Sequence, residues 1–310
     1  MDMTQNKCCR HGANLRRKRR RRRKILRSII FSCSIIAVAV FVAVGSRMIR
    51  SGDGRTNKYD VEAGNNTYDV KAENNTYDNA VIENSKISEK NKIQNDQSML
   101  DDIIMNSTQY PKQLQELALK NEEALEFVYD YPTEHVKEHT IDLTEEASMD
   151  SVPLFVQWDK RWGYEKYSGN FFAASGCGPT TLSMVVVYLT HNRDASPIAV
   201  AKYSKEAGYS VDGSGSSWTL ISEGCRHYGV KAKTVALDES RMKAELDEGH
   251  PIVVNVGPGD FTDTGHFMVI TGYDDEGFSI NDPNSIEKSG KRWLFKNISS
   301  QIRAVWSMYV

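Results

Sequence analysis

The chain has 310 residues, a formal net charge of −2 and 40% hydrophobic residues, enough for one or two domains with appendages. The near-neutral total hides a split: residues 1–50 hold 14 of the 39 Lys and Arg and one of the 41 Asp and Glu, leaving 25 cationic against 40 anionic residues beyond them. Five cysteines, only two of them after residue 50, exclude a disulfide framework, and no HExxH, paired-Cys or GxxxxGK[ST] pattern points to a metal or a nucleotide cofactor.

Nine consecutive cationic residues run from Arg16 to Lys24. The 19 residues from Ser28 to Ser46 that follow carry no charge, about the minimum for a membrane-spanning helix. A basic block before such a run predicts a cytosolic N-terminus, so membrane attachment is favoured over nucleic-acid binding. A cleaved signal peptide is the alternative, with small residues at 43–46, but the unbroken length and Arg47 and Arg50 favour an uncleaved anchor. Either way the acidic bulk is expected outside the cell membrane.

Beyond Ser51 the composition turns to Asn, Asp, Glu, Lys and Ser, with tyrosines at 59, 68 and 77 marking a nine-residue repeat. Such a segment buries too little apolar surface to offset its ordering entropy and reads as a flexible stalk. Helical spacing resumes near Ile103. Leu114, Leu117, Ala118, Leu125 and Val128 fall on apolar faces, Pro111 suits a helix start and Tyr131-Pro132 an end. The expected division is a basic cytoplasmic tail (1–27), a transmembrane helix (28–46), a linker (47–102), a helical pre-domain segment (103–150) and a distal domain (151–310).

The distal domain opens with an extended or strand-like stretch from Val152 to Asp159 that contains Gln157. Ser175-Gly176-Cys177-Gly178-Pro179-Thr180-Thr181 then leads into the apolar run Leu182–Leu189, which predicts a buried helix with Pro179 in its first turn. A cysteine there lies at the positive end of the helix dipole, which favours thiolate, and the flanking glycines would admit a substrate backbone. Residues 216–228 suggest a short helix ending at Gly229 with Cys225 inside as a small buried side chain. A Cys177–Cys225 bridge is the alternative that an oxidising exterior permits. Met242–Leu246 suggests one more helix.

The last third is β-rich. Ile252–Val256 reads as a strand, and His266–Tyr273, the turn at 274–277 and Phe278–Pro283 read as a hairpin. Reflection about residue 275 brings His266 opposite 282–284, so an imidazole at one strand start meets the Asp282 carboxylate at its partner's end. Cys177 as nucleophile, His266 as base, Asp282 as orienter and the Gln157 amide as oxyanion donor make the set that acyl transfer needs. The glycine-rich 257–265 stretch before His266 reads as a mobile rim of the cleft.

On the Gln157-Trp158-Asp159 lead-in, Gly176-Cys177-Gly178-Pro179-Thr180, Gly265-His266-Phe267, Gly272-Tyr273 and Asn281-Asp282-Pro283, the chain resembles the C39-like family of papain-fold cysteine peptidases. The resemblance covers roughly 152–309. It implies an α+β papain-like fold, with a helical subdomain carrying Cys177 packed on an antiparallel sheet carrying His266 and Asp282. It also implies peptide-bond hydrolysis through an acyl-enzyme, a peptide or protein substrate, and Gln157 in the oxyanion hole. The chain differs from the leader-cleaving members, which are fused to ABC exporters. Two other outcomes stay open: a catalytically silent cell-surface binding module, and an acyltransferase or transpeptidase using the same acyl-enzyme.

Overall fold

A computed structural model describes residues 74–310. The basic tail, the charge-free run at 28–46 and the first part of the linker lie outside the described residues. Among those described, no helix is long and apolar enough to cross a membrane.

Helix α1 (Asn74–Met105) corrects the expected linker, since regular structure begins well before residue 103. No Gly or Pro interrupts residues 74–105, so nothing breaks the backbone ladder. At its C-terminal end Ile103 is buried, with Met99 and Leu100 packed beside it. Helices α2 (Lys112–Ala118) and α3 (Leu125–Tyr129) bury Leu114, Leu117, Leu125, Phe127 and Val128 in the same cluster. That cluster also takes in Phe171 and Ala173 from the distal domain. Phe127 stacks on Tyr164 at 4.2 Å, and the Tyr164 hydroxyl donates to the Phe127 carbonyl. The pre-domain segment therefore shares a core with the domain it precedes.

Helix α4 (Cys177–Thr190) is the centre of the helical layer, and its residues 178–187 are all buried. Burial of each apolar side chain is worth about 1.5–3 kcal/mol, which outweighs the roughly 0.7 kcal/mol or less that a β-branched residue costs a helix. The run Val185-Val186-Val187 is accordingly helical. Helix α5 (Pro197–Glu206) packs on α4, capped by the Ser196 hydroxyl. The helix expected over 216–228 is broken in two. A turn at Thr219–Ser222 and a 3-10 turn at Gly224–Tyr228 meet at Glu223, whose φ of −128° leaves the helical region.

The sheet has six strands: β1 (Lys231–Thr234), β2 (Ile252–Val256), β3 (His266–Asp274), β4 (Gly277–Asn281), β5 (Arg292–Trp293) and β6 (Ile302–Tyr309). They are ordered β1-β6-β2-β3-β4-β5 with every neighbour antiparallel. Val253, Phe267, Val269, Trp306 and Met308 face the α4 layer. The alternate residues Ile252, Val254, Met268, Ile270 and Val305 face a second core, closed by Met242 of helix α6 (Glu239–Asp247) and by Ile298. The strand expected over 152–159 does not form: residues 152–156 pair with no strand, and a turn at 157–158 follows, with the Asp159 N–H donating to the Val156 carbonyl at 3.2 Å.

The β3–β4 hairpin is not a plain reflection. Tyr273 pairs with Phe278 and Gly272 with Ser279, but then Ile270 pairs with Ile280 and Val269 with Asn281, leaving Thr271 as an extra residue. A one-residue shift changes which face each side chain occupies. Without it, Asp282 would fall across from Val269, on the face of Phe267. With it, continuing the register one step past the Val269–Asn281 pair would put Asp282 across from Met268, on the same face as His266.

Candidate active site

Cys177 is the first residue of α4, so its amide has no acceptor within the helix and points with the dipole's positive end. The two glycines beside it answer to packing rather than to a substrate. A Cβ on Gly176 would sit 2.6 Å from the Phe172 ring, and one on Gly178 would sit 2.5 Å from Ser216 Oγ. This corrects the expected role: the space over both is filled by the chain itself.

His266 opens β3 and is buried. Its Nε2 lies 2.6 Å from Asp282 Oδ1, which leaves Nδ1 as the ring nitrogen free for the thiol. Burial disfavours the imidazolium, yet the Asp282 carboxylate and the Cys177 sulfur outweigh it and raise His266 well above the ordinary imidazole range. Burial likewise pushes the Cys177 thiol up. The His266 imidazole, with the backbone N–H groups of Phe267 and Gly178, overcomes this and holds the thiol below its ordinary value. Each partner favours the charged form of the other.

Asp282 is fully buried. Its Oδ1 also accepts the Asn284 amide at 2.8 Å, and its own N–H donates to Ser289 Oγ at 2.9 Å. Gln157 is buried as well. Its backbone N–H donates to the Pro283 carbonyl at 2.7 Å, which ties the lead-in segment to the loop after β4. Its side-chain Nε2 donates to the Ala173 carbonyl at 2.7 Å. One N–H of the amide remains for an oxyanion, and Oε1 is buried with no partner. The structure thus joins Cys177, His266 and Asp282, and sets Gln157 between Pro283 and the turn before α4 without bonding it to the other three.

Several side chains around these four make contacts that the sequence did not assign. Asn255 Nδ2 donates to the His266 carbonyl at 3.2 Å. Asn281 Nδ2 reaches the Val152 and Pro153 carbonyls at 3.0 and 3.1 Å, and Trp158 Nε1 reaches the Asn284 carbonyl. Asn255 had a visible signal, as the one polar residue in the apolar run Ile252–Val256. Cys225 is fully buried and unpaired, and burial pushes its thiol up to about 11. Cys177 is also unpaired, so the bridge alternative is not what the structure holds. His227, two residues from Cys225, stacks on Tyr203 at 4.0 Å. Within the 257–265 rim, Asp260 is tied to Gln301, which accepts the Asp260 amide at 2.7 Å and donates to the Asp260 carboxylate at 2.6 Å.

No curated protein sequence matches the chain. Among solved structures, the peptidase domain of Streptococcus ComA, a bifunctional ABC transporter of a quorum-sensing pathway, is similar at 19% identity. The match covers 51% of this chain and 96% of that one, with a TM-score of 0.37. A protein described as a C39-like peptidase from Bacillus anthracis is similar at 16% identity over 51% and 95% of the two chains, with a TM-score of 0.33. The model of the Peptidase_C39 like family matches residues 149–310. That span exceeds half the chain, starts ahead of Gln157 and runs through Cys177, His266 and Asp282 to the last strand, so the protein belongs to the Peptidase_C39 like family.

Proposed function

We propose that the chain is a thiol-dependent peptidase that cleaves peptide bonds through a Cys177 acyl-enzyme. The observation that carries the reading is the buried 2.6 Å contact between His266 Nε2 and Asp282, which orients the other imidazole nitrogen towards a thiol held below its ordinary value. The Cys177 thiolate attacks the scissile carbonyl carbon, and the carbonyl electrons move onto oxygen. The Cys177 amide and the free N–H of Gln157 Nε2 receive that charge. Collapse expels the amine, which takes the proton from the His266 imidazolium. Neutral His266 then removes a proton from water, which attacks the thioester and releases the acid, restoring the ion pair.

The membrane attachment belongs to the same proposal. The charge-free run at 28–46 behind the basic block supports a single-pass anchor with a cytosolic N-terminus, which would expose the peptidase domain to substrates outside the cell.

The pH dependence tests the reading without a known substrate. The reactive state needs thiolate and imidazolium together. Acid removes it by protonating Cys177, and this happens below the ordinary thiol range because that pKa is lowered. Alkali removes it by deprotonating His266, and this happens above the ordinary imidazole range because that pKa is raised. Iodoacetamide should therefore label Cys177 rapidly at neutral and mildly acidic pH, where a free thiol, with a pKa of about 8.5, is mostly protonated. Labelling that rises only around the free-thiol range would overturn the proposal.

A further inference from the structure

The loop that carries Asp282 is held from outside the matched family span. Glu123, on the 3-10 turn Glu122–Ala124 between α2 and α3, sends its carboxylate to this loop. Oε2 accepts the backbone N–H of Ile286 at 2.7 Å and of Glu287 at 3.1 Å, and Oε1 accepts the Ser285 hydroxyl. Two residues earlier, Asn121 Nδ2 donates to both the Asn284 carbonyl and the Asn284 Oδ1, at 3.0 and 3.1 Å. Asn121 Oδ1 meanwhile accepts the Glu123 amide at 3.1 Å, which fixes the two anchoring side chains relative to each other.

The anchor rests on a packed base. Ala124, Leu125 and Phe127 are buried in the cluster that includes Phe171 and Ala173, a few residues before the nucleophile. On the other side, the loop passes the restraint directly to the carboxylate. The Asn284 amide donates to Asp282 Oδ1, the atom that faces His266. Ser289 Oγ accepts the Asp282 N–H and donates to the Ser285 carbonyl. A charged acceptor that serves three donors is costly to replace, because the loop amides then lose a strong partner.

We propose that Glu123 and Asn121 are positioning residues for Asp282. The pre-domain segment is thereby part of the catalytic centre, although it lies outside residues 149–310. It keeps the Asp282 carboxylate on His266 and, through His266, keeps the Cys177 thiol ionised. The inference rests on the proposed thiol mechanism and goes beyond it, since it assigns a role to residues that touch neither substrate nor nucleophile.

The test is site-resolved iodoacetamide labelling of the full chain across pH, read by peptide mass spectrometry at Cys177 and Cys225. Buried Cys225 reports folding, because it labels only when the chain opens. Glu123→Gln keeps the size but removes the charge and one acceptor site. It should raise the Cys177 midpoint by about one pH unit and slow labelling in mild acid roughly tenfold, with Cys225 still protected. The exposed neighbour variant Glu122→Gln should match the unaltered chain. If Glu123→Gln unprotects Cys225, Asn121→Ala carries the test through the separate Asn284 contact, with a smaller shift in the same direction. A folded Glu123→Gln chain, or failing that a folded Asn121→Ala chain, with the unaltered midpoint overturns the anchor alone. An ordinary midpoint in the unaltered chain overturns the thiol mechanism itself.

Discussion

Cys177 and Cys225 are the same side chain in two neighbourhoods with opposite consequences. Both are removed from bulk water to some degree, and burial alone raises a thiol pKa. Cys177 has an imidazole and two backbone amides against its sulfur, so its pKa falls. Cys225 sits among apolar groups in a 3-10 turn, with the Arg226 charge and nearby amides too weak to offset burial, so its pKa rises to about 11. The difference teaches that the lowered pKa of Cys177 is built by the β3–β4 hairpin, some ninety residues further along the chain, and not by the helix start alone.

The sharpest way to break the comparison is to remove the sulfur. Cys177→Ala should reduce peptide hydrolysis to the uncatalysed background, measured as release of new amino termini, whereas Cys225→Ala should retain turnover. Activity in Cys177→Ala would sink the mechanism. Removing the base comes next: His266→Ala should lower kcat by about 10²–10⁴-fold, the usual share of a positioned acid–base group, and should return Cys177 labelling towards the free-thiol range. Asp282→Ala should cost less, about ten- to a hundredfold, since it deletes a charge-assisted hydrogen bond worth about 1.5–3 kcal/mol rather than the proton carrier. The smallest effect is on the structural cysteine. Cys225→Ala should lower unfolding stability by about 1 kcal/mol in denaturant titration, the scale of a small cavity.

The approach of Cys177, His266 and Asp282 was legible in the sequence because each carries a local signal. Gly176-Cys177-Gly178-Pro179 marks a helix start before an apolar run, and the Asp274–Gly277 turn lets His266 be folded onto the neighbourhood of Asp282. What stayed hidden depends on tertiary partners. Gly176 and Gly178 are glycines because Phe172 and Ser216 press on them, and neither neighbour is visible from the motif. The break at Glu223, two residues before Cys225 enters the α4 core, has no signal in the local sequence. The helicity of 74–102 escaped a reading based on polarity, because the packing of Met99, Leu100 and the adjoining Ile103 at the helix's C-terminal end is a tertiary contact. The bonds from Glu123 and Asn121 span about 160 residues and have no sequence period at all.

The extra residue at Thr271 also ties the placement of Asp282 to the packing of the sheet. In the unbulged pairing, Asn281 would lie across from Ile270 in the second core, and its amide would lose the Val152 and Pro153 carbonyls it now binds. A buried amide without partners costs roughly 1–3 kcal/mol. A chain that pairs these strands wrongly would therefore be poorly packed and, on the proposed mechanism, without the Asp282 partner of His266. Selection for a well-filled core on one side of the sheet thus selects, in the same step, for an aspartate on the histidine's side.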